Sequence, residues 1–484
     1  MKLQMPSLRS RLWFAVALLA AVPATPAVAE PPFRIQVLDE ESGWPVPLVT
    51  LRTVHEVEFH TDNAGVAAFD LPELEGVETW LHLEADGYGL DPDGFGYRGF
   101  RVVPERGGRH EVRVRRQVPA KRLGRFTGAG LFAESQKLGE ELDWPESGIL
   151  GCDSVQTVRH RGRLFWAWGD TLLARYPLGI FHMLGAASEG RPFDSLEPPL
   201  RPGFDFYRDE AGVPRAVAEI EGRGPTWING LASLPDASGR ERLVGFYVKV
   251  EPPLSVYRCG LCVWDEEAER FVDHRVLWDV ERGGEAPLEI LPGHPAPESV
   301  PRGHPVRWTD AEGEEWVLFG DPFPILKVPA SFEAWSDPAS WIPLEAPGHL
   351  RAAGGDGPGE AQGRRVAVHR GAMMWHPWRR RWVAIVGENG GEPSHLGEIW
   401  YTEADAPTGP WGPAVKVLSH RKHTFYNPKV HPGFVDDDSP VLLFEGTYTK
   451  TFSRNAAATP RHDYNQVLYR LDLDDPALAA ARGE

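Results

Sequence analysis

Five carboxylic acids recur beside short apolar runs along this 484-residue chain. Asp153 opens one run, in Gly151-Cys152-Asp153-Ser154-Val155. Asp170, Asp321 and Glu388 each follow a glycine that ends one, in Trp168-Gly169-Asp170, Phe319-Gly320-Asp321 and Val386-Gly387-Glu388, and Glu445 closes Val441-Leu442-Leu443-Phe444. Carboxylates gathered in a partly desolvated funnel repel one another, and the repulsion is relieved when one keeps its proton near neutral pH. A protonated carboxyl beside an ionised one is the pair that hydrolysis of a glycosidic bond requires. Asn229, His304 and Asn427 occupy comparable points, and Trp168, Trp227, Trp375 and Tyr426 offer rings that stack on sugars. Simpler uses stand beside these: Asp170 and Asp321 as turn caps, His304, His423 and His431 as loop braces, and Asp436-Asp437-Asp438 as a solvated hairpin turn. The chain has no G-x-S-x-G elbow, no H-E-x-x-H and no phosphate-cradling glycine loop, Gly354 to Gly359 reading as a loop between repeats.

The elements that must position these residues come from an internal repeat. Its unit is a short apolar strand, a polar turn, and a second strand ending in glycine or a carboxylate. The copies run from Ser154 through His160-Arg161-Gly162-Arg163 to Asp170, from Asn229 to Tyr247, from Pro305 to Asp321, from Ala372 to Glu388, and from Pro428 to Gly446. Starts about 55 to 75 residues apart leave room for a four-stranded blade and a loop, which predicts a β-propeller of about five blades. In such a ring the start of each inner strand and the end of the next share one face. That rule sends the five acids, Asn229, His304 and Asn427 to a common rim.

Ahead of the repeats, Phe33, Ile35 and Val37 alternate with polar residues, and further strands read at Val46 to Thr53, Val66 to Phe69, Thr79 to Leu83, Gly99 to Val103 and Glu111 to Arg115. Six or seven short half-buried strands predict a β-sandwich. The whole is therefore all-β, a view that 51 glycines and 45 prolines among few helical periodicities support. At the N-terminus, Lys2, Arg9 and Arg11 precede an apolar run from Leu12 to Val22 and then Ala27-Val28-Ala29, the pattern of an export signal. The expected organisation is signal 1–29, sandwich 33–118, linker 119–145, propeller 146–475 and tail 476–484, in a secreted or periplasmic protein without a membrane span. A net charge of −18 argues against a nucleic-acid partner. Cys259-Gly-Leu-Cys262 reads as a structural thiol pair or local disulfide, half a zinc site or a redox motif being the lesser readings, with Cys152 left over.

Gly43-Trp44-Pro45-Val46-Pro47-Leu48-Val49-Thr50-Leu51, Thr61-Asp62-Asn63-Ala64-Gly65 and Ala85-Asp86-Gly87-Tyr88 resemble the carboxypeptidase regulatory-like, transthyretin-like domain. That resemblance implies an accessory sandwich and no chemistry of its own. Gly151 to Val155 and Phe165 to Thr171, echoed by Leu318-Phe319-Gly320-Asp321, resemble the five-bladed propeller glycosidases of the arabinanase and invertase-like group. That likeness implies a glycoside hydrolase acting on a polysaccharide or oligosaccharide, with Asp153 as base or nucleophile. Its acid normally comes from a third-blade Glu, which this chain replaces by Asp321, so the acid stays open among Asp170, Asp321, Glu388 and Glu445. The alternative is a non-catalytic propeller that binds a glycan or protein on the same face. No cofactor is expected, calcium or another channel metal being the one metal reading.

Overall fold

Proline spacing and residue alternation set the strands of the first unit, in a computed structural model that describes residues 30–283, 300–354, 363–454 and 457–483. Residues 1–29, where an export signal is expected, and Gly355 to Gly359 lie outside the described residues. One sheet orders Val66–Phe69, Phe33–Asp39, Arg109–Arg116 and Tyr88–Gly89, and the other orders Glu58–His60, Thr50–Thr53, Thr79–Glu84 and Gly99–Val102. Phe33–Asp39 pairs in parallel with Arg109–Arg116, and the remaining neighbours are antiparallel. The two inner faces enclose Ile35, Val37, Leu51, Leu81, Leu83 and Val114. Regular pairing of the second strand begins at Thr50 and not at Val46, because Pro45 and Pro47 supply no N–H to a ladder.

Beyond the sandwich lie a small three-stranded sheet, Ile149–Cys152, Thr171–Leu173 and Tyr176–Ile180, and five antiparallel sheets built chiefly of consecutive strands. Blade I joins Gln156–His160, Arg163–Trp168, Leu184–Ser188 and Asp205–Phe206. Blade II joins Thr226–Pro235, Glu241–Glu251, Ser255–Asp265 and Arg270–Asp279. Blade III joins Val306–Thr309, Glu315–Gly320, Pro324–Pro329 and Ile342–Pro343. Blade IV adds His349–Arg351 to Arg365–His376, Arg381–Glu388, Ile399–Ala404 and Val415–Leu418, and blade V joins Thr424–Val430, Val441–Thr449 and Asn465–Asp472. The five sequence repeats fall on the first two strands of the five blades.

Both faces of every blade are apolar, and each face meets the next blade. Phe165 packs with Tyr247 and Trp264 between blades I and II, Phe246 with Phe319 between II and III, and Leu318 with Met373 and Ala384 between III and IV. Ile385 packs with Phe444 between IV and V, and Trp166 and Trp168 pack with Leu443 and Leu468 between V and I. Five inter-blade cores, the last returning to the first, make a closed ring, the β-propeller.

The strand that completes blade V comes from the segment expected as a linker. Lys121–Arg125 pairs antiparallel with Asn465–Asp472, joining the chain's early part to its end. The sandwich grips this strand. Asn63, in the Thr61-Asp62-Asn63-Ala64-Gly65 turn, donates to the carbonyls of Arg125 (2.9 Å) and Leu200 (3.1 Å) and accepts the Arg125 N–H (2.9 Å). The buried Arg122 guanidinium donates to the Pro47 carbonyl (2.9 Å), the Asp86 carbonyl (2.6 Å) and the Tyr469 hydroxyl (3.0 Å).

The three cysteines are free and buried. Cys259 and Cys262 are three apart on the strand Ser255–Asp265 and so point to opposite faces. Cys259 enters the core shared with blade III and Cys262 the core shared with blade I, which overturns the local disulfide and the paired-thiol reading. Among the described residues no group of three or more His, Cys, Asp or Glu could hold a metal, and none of the described helices is long and apolar enough to cross a membrane.

Candidate functional site

Three of the five inner strands are broken on the way to the axis. The ladder between the first two strands shifts register between Asn229 and Ala232 in blade II, between Val368 and Gly371 in blade IV, and between Tyr426 and Lys429 in blade V. Such bulges re-aim side chains that regular pleating would send into the inter-blade cores. In blade I the same result comes from Ser154 in the left-handed region (φ 54°) beside Asp153. In blade II Gly230 (φ 64°) is obligatory, since a Cβ there would lie 1.9 Å from the Pro301 carbonyl oxygen.

These breaks line a cavity of about 390 Å³ at the mouth of the ring. Blade I contributes Asp153 and Asp170, blade II Trp227 and Asn229, and the start and end of the first two strands of blade III His304 and Asp321. Blade IV contributes His369 and Arg370, and blade V Tyr426 and Asn427. Eight of the residues named from sequence thus share one pocket.

Asp153 and Asp170 face different surroundings. Burial raises the pKa of both carboxyls. For Asp153 it is opposed by hydrogen bonds from Tyr426, Tyr464, Ser154 and the Asp170 backbone N–H, the Tyr426 hydroxyl donating at 2.6 Å. Among the described residues Asp170 receives only the Trp227 indole N–H, at 2.9 Å, and its burial, with the negative charge of Asp153 adding to it, pushes its pKa up to about 7. Asp153 is therefore the acid built to be ionised and Asp170 the one built to keep its proton. Gly169 makes the arrangement fit: a Cβ on it would stand 2.2 Å from Asp153 Oδ1.

Several of the remaining pocket polar groups are braced or neutral. Asp321 Oδ1 accepts the Gly371 N–H at 2.9 Å, and its Oδ2 lies 3.7 Å from Arg370 Nε. Asn229 Oδ1 accepts the Gly303 N–H, and Asn427 donates to the Ser154 hydroxyl at 2.6 Å. Burial drives His304 well below the ordinary histidine range, with Lys429 and His431 adding to the fall.

Four residues expected at the rim are elsewhere. Glu388 is locked in a two-pronged pair with Arg364 (2.6 and 2.9 Å) and accepts the Trp400 N–H (2.9 Å). Glu445 lies inside the strand Val441–Thr449, which runs four residues past it, and faces His431 at 2.7 Å, fully buried. Trp168 stacks on Trp166 in the core between blades V and I. Trp375 stands at the far end of the strand Arg365–His376, 44% exposed against Trp382.

Sequence reasoning missed Arg302, His369, Arg370, His395, Phe452 and Tyr464, all of which line the pocket. His369 and Arg370 were within reach of the rim rule: the inner strand of blade IV starts at Arg365, seven residues before the apolar run that marked it. Phe452, 55% exposed, packs edge-on against Tyr426 beside the mouth.

No family model and no curated protein matches the chain. Solved structures similar to it include an exo-1,5-alpha-L-arabinanase from a bovine ruminal metagenomic library, at 11% identity over 67% of this chain and 94% of that one with a TM-score of 0.35. A putative exo-beta-1,3-galactanase from Bifidobacterium bifidum s17 matches at 9% identity, 66% and 87% coverage and a TM-score of 0.35. An arabinanase from Bacillus subtilis matches at 10%, 66% and 96% with a TM-score of 0.33. Likeness at this level assigns no activity, so the reading of the site rests on its own residues.

Proposed function

We propose that the chain is an exported glycoside hydrolase acting in the axial pocket, with the sandwich as its structural accessory. The observation that carries this reading is the divergence of Asp153 and Asp170, one rich in hydrogen-bond donors and the other nearly without them. Asp170 protonates the departing glycosidic oxygen. Asp153 acts as nucleophile or as base toward water, held by the Tyr426 hydroxyl. Trp227, Tyr426 and Phe452 supply ring faces for the sugar at the mouth. Asp321, tied to the Gly371 N–H, is a positioning residue and not the acid.

The direct test is release of new reducing ends from a panel of plant, microbial and algal polysaccharides by the purified protein. Release that disappears in Asp170→Asn supports the assignment. Binding without release from any member of the panel would leave a non-catalytic glycan-binding propeller as the function.

Gly169→Ala separates geometry from folding. The added methyl has to displace the Asp153 carboxylate, because Tyr426 holds that group from the other side. Misplacement of this order is expected to lower turnover at least about 100-fold. The melting temperature is expected to move by no more than about 5 °C, because the clash involves one short side chain beside a cavity. Calorimetry and initial rates on the same preparation check both.

A further inference from the structure

The pocket has two chemically different sides. Blades I and V supply the acid pair and its tyrosines, whereas Arg302, Asp321 and Arg370 come from the segment leading into blade III and from blades III and IV, across the ring. Arg370 sits against Asp321, with Nε 3.7 Å from Oδ2. Arg302 makes no side-chain hydrogen bond or ion pair to a described residue, although it lines the pocket and is largely withdrawn from water. Two guanidinium groups thus meet a single carboxylate.

His369 and His304 add no reinforcing charge. Burial, with Arg370 and His395 adding to it, pushes His369 down to about 3, and His304 is held low in the same way. The surplus positive charge on this side therefore belongs to the arginines. It is local, since the chain as a whole carries −18 and its average field repels anions. A sugar bearing only hydroxyls is adequately held by Asp or Asn. A planar guanidinium with five donors and no hydrogen-bond partner among the described residues, in a partly dry wall, matches an oxyanion instead.

We propose that the glycan taken by this pocket carries an anionic substituent, a carboxylate or a sulfate, received by Arg302 and Arg370 on the side of the pocket away from Asp153 and Asp170. The inference rests on the hydrolase reading for the phrase "glycan taken" and deepens it by naming the substrate class.

The test uses matched pairs: oligogalacturonate and its methyl ester for the carboxylate, and a sulfated galactan oligosaccharide and its desulfated form for the sulfate. Binding by calorimetry and reducing-end release are measured for each with the full protein, Arg302→Met, Arg370→Met and the charge-keeping Arg302→Lys. One acidic member is expected to bind at least tenfold more tightly than its neutral partner, which tells carboxylate from sulfate. Both Met variants are expected to reduce that preference about tenfold while the neutral partner's affinity changes less than twofold, and Arg302→Lys is expected to retain most of it. Melting curves confirm that the variants fold; a variant that fails to fold leaves the matched pairs on the parent protein as the deciding measurement. Equal or tighter binding of the neutral partners, or no binding of any acidic member, overturns the proposal. Acid-selective binding without cleavage upholds it and refutes the hydrolase, whereas cleavage that prefers the neutral partner does the reverse.

Discussion

Asp153→Asn is expected to lower kcat/KM by about 10³-fold or more on any glycan the protein cleaves, because the amide can neither attack nor accept a proton. Asp170→Asn should cost about 10²- to 10⁴-fold, least for substrates with a leaving group that needs no protonation. On the proposed mechanism turnover requires Asp153 ionised and Asp170 protonated, so a bell-shaped pH profile is expected. The alkaline limb follows Asp170, and activity falls as pH rises through about 7. The acid limb lies above the ordinary aspartate value, since burial raises Asp153. Trp227→Phe removes the only side-chain donor to ionised Asp170, so its alkaline limb should move to higher pH. A profile that is flat from pH 5 to 9, or unaltered by Asp153→Asn, would sink the assignment.

The same carboxyl links stability to pH in a definite direction. Its folded pKa lies above the unfolded value of 3.8, so the native state binds a proton that the unfolded chain releases. The stabilisation this gives is complete below about pH 4 and is lost as pH rises through about 7. Asp170→Asn cannot ionise and is therefore expected to be the more stable protein at pH 8, by about 1 to 3 kcal/mol, with the difference vanishing near pH 4. Thermal melts at the two pH values measure it.

The second large effect concerns ring closure. Deleting Lys121–Arg125 strips blade V of its outer strand and removes Leu123 from the core between blades V and I. Such a chain is expected to lose cooperative melting of the propeller while the sandwich, with its own core, persists. Asn63→Ala probes the same joint more gently. It leaves a buried N–H and two carbonyls of the joint without their partner, a loss of about 2 to 4 kcal/mol seen as a lower denaturant midpoint. An unchanged midpoint would show that the sandwich does not brace the ring.

What the sequence made legible follows the range over which each signal acts. The first two strands of each blade carry apolar residues at short spacing and are joined by polar turns, so their pattern is local and all five pairs read correctly. Asp170 and Asp321 were found because a glycine-acid step marks where a strand leaves its ladder, and Asp153 because it stands just ahead of the strand Gln156–His160. Glu388 and Glu445 also close apolar runs, yet Arg364 claims Glu388 from outside its repeat, and Glu445 is buried in mid-strand against His431. Lys121-Arg122-Leu123-Gly124-Arg125 reads as a polar connector because the pairing that makes it a strand is to the far end of the chain. Arg370 escaped because the bulge that turns it inward has no apolar alternation to announce it.

That distant pairing also orders the protein's biogenesis. Arg122 leaves the ribosome 347 residues ahead of Tyr469, its partner across the final seam. The sandwich, finished by then, can cradle the waiting segment through Asn63, which is only 62 residues away in the chain. Four blades can stack as they emerge, but the circle is sealed only once Asn465–Asp472 has been made, and until then the apolar flanks of the first and fifth blades stay bare to chaperones.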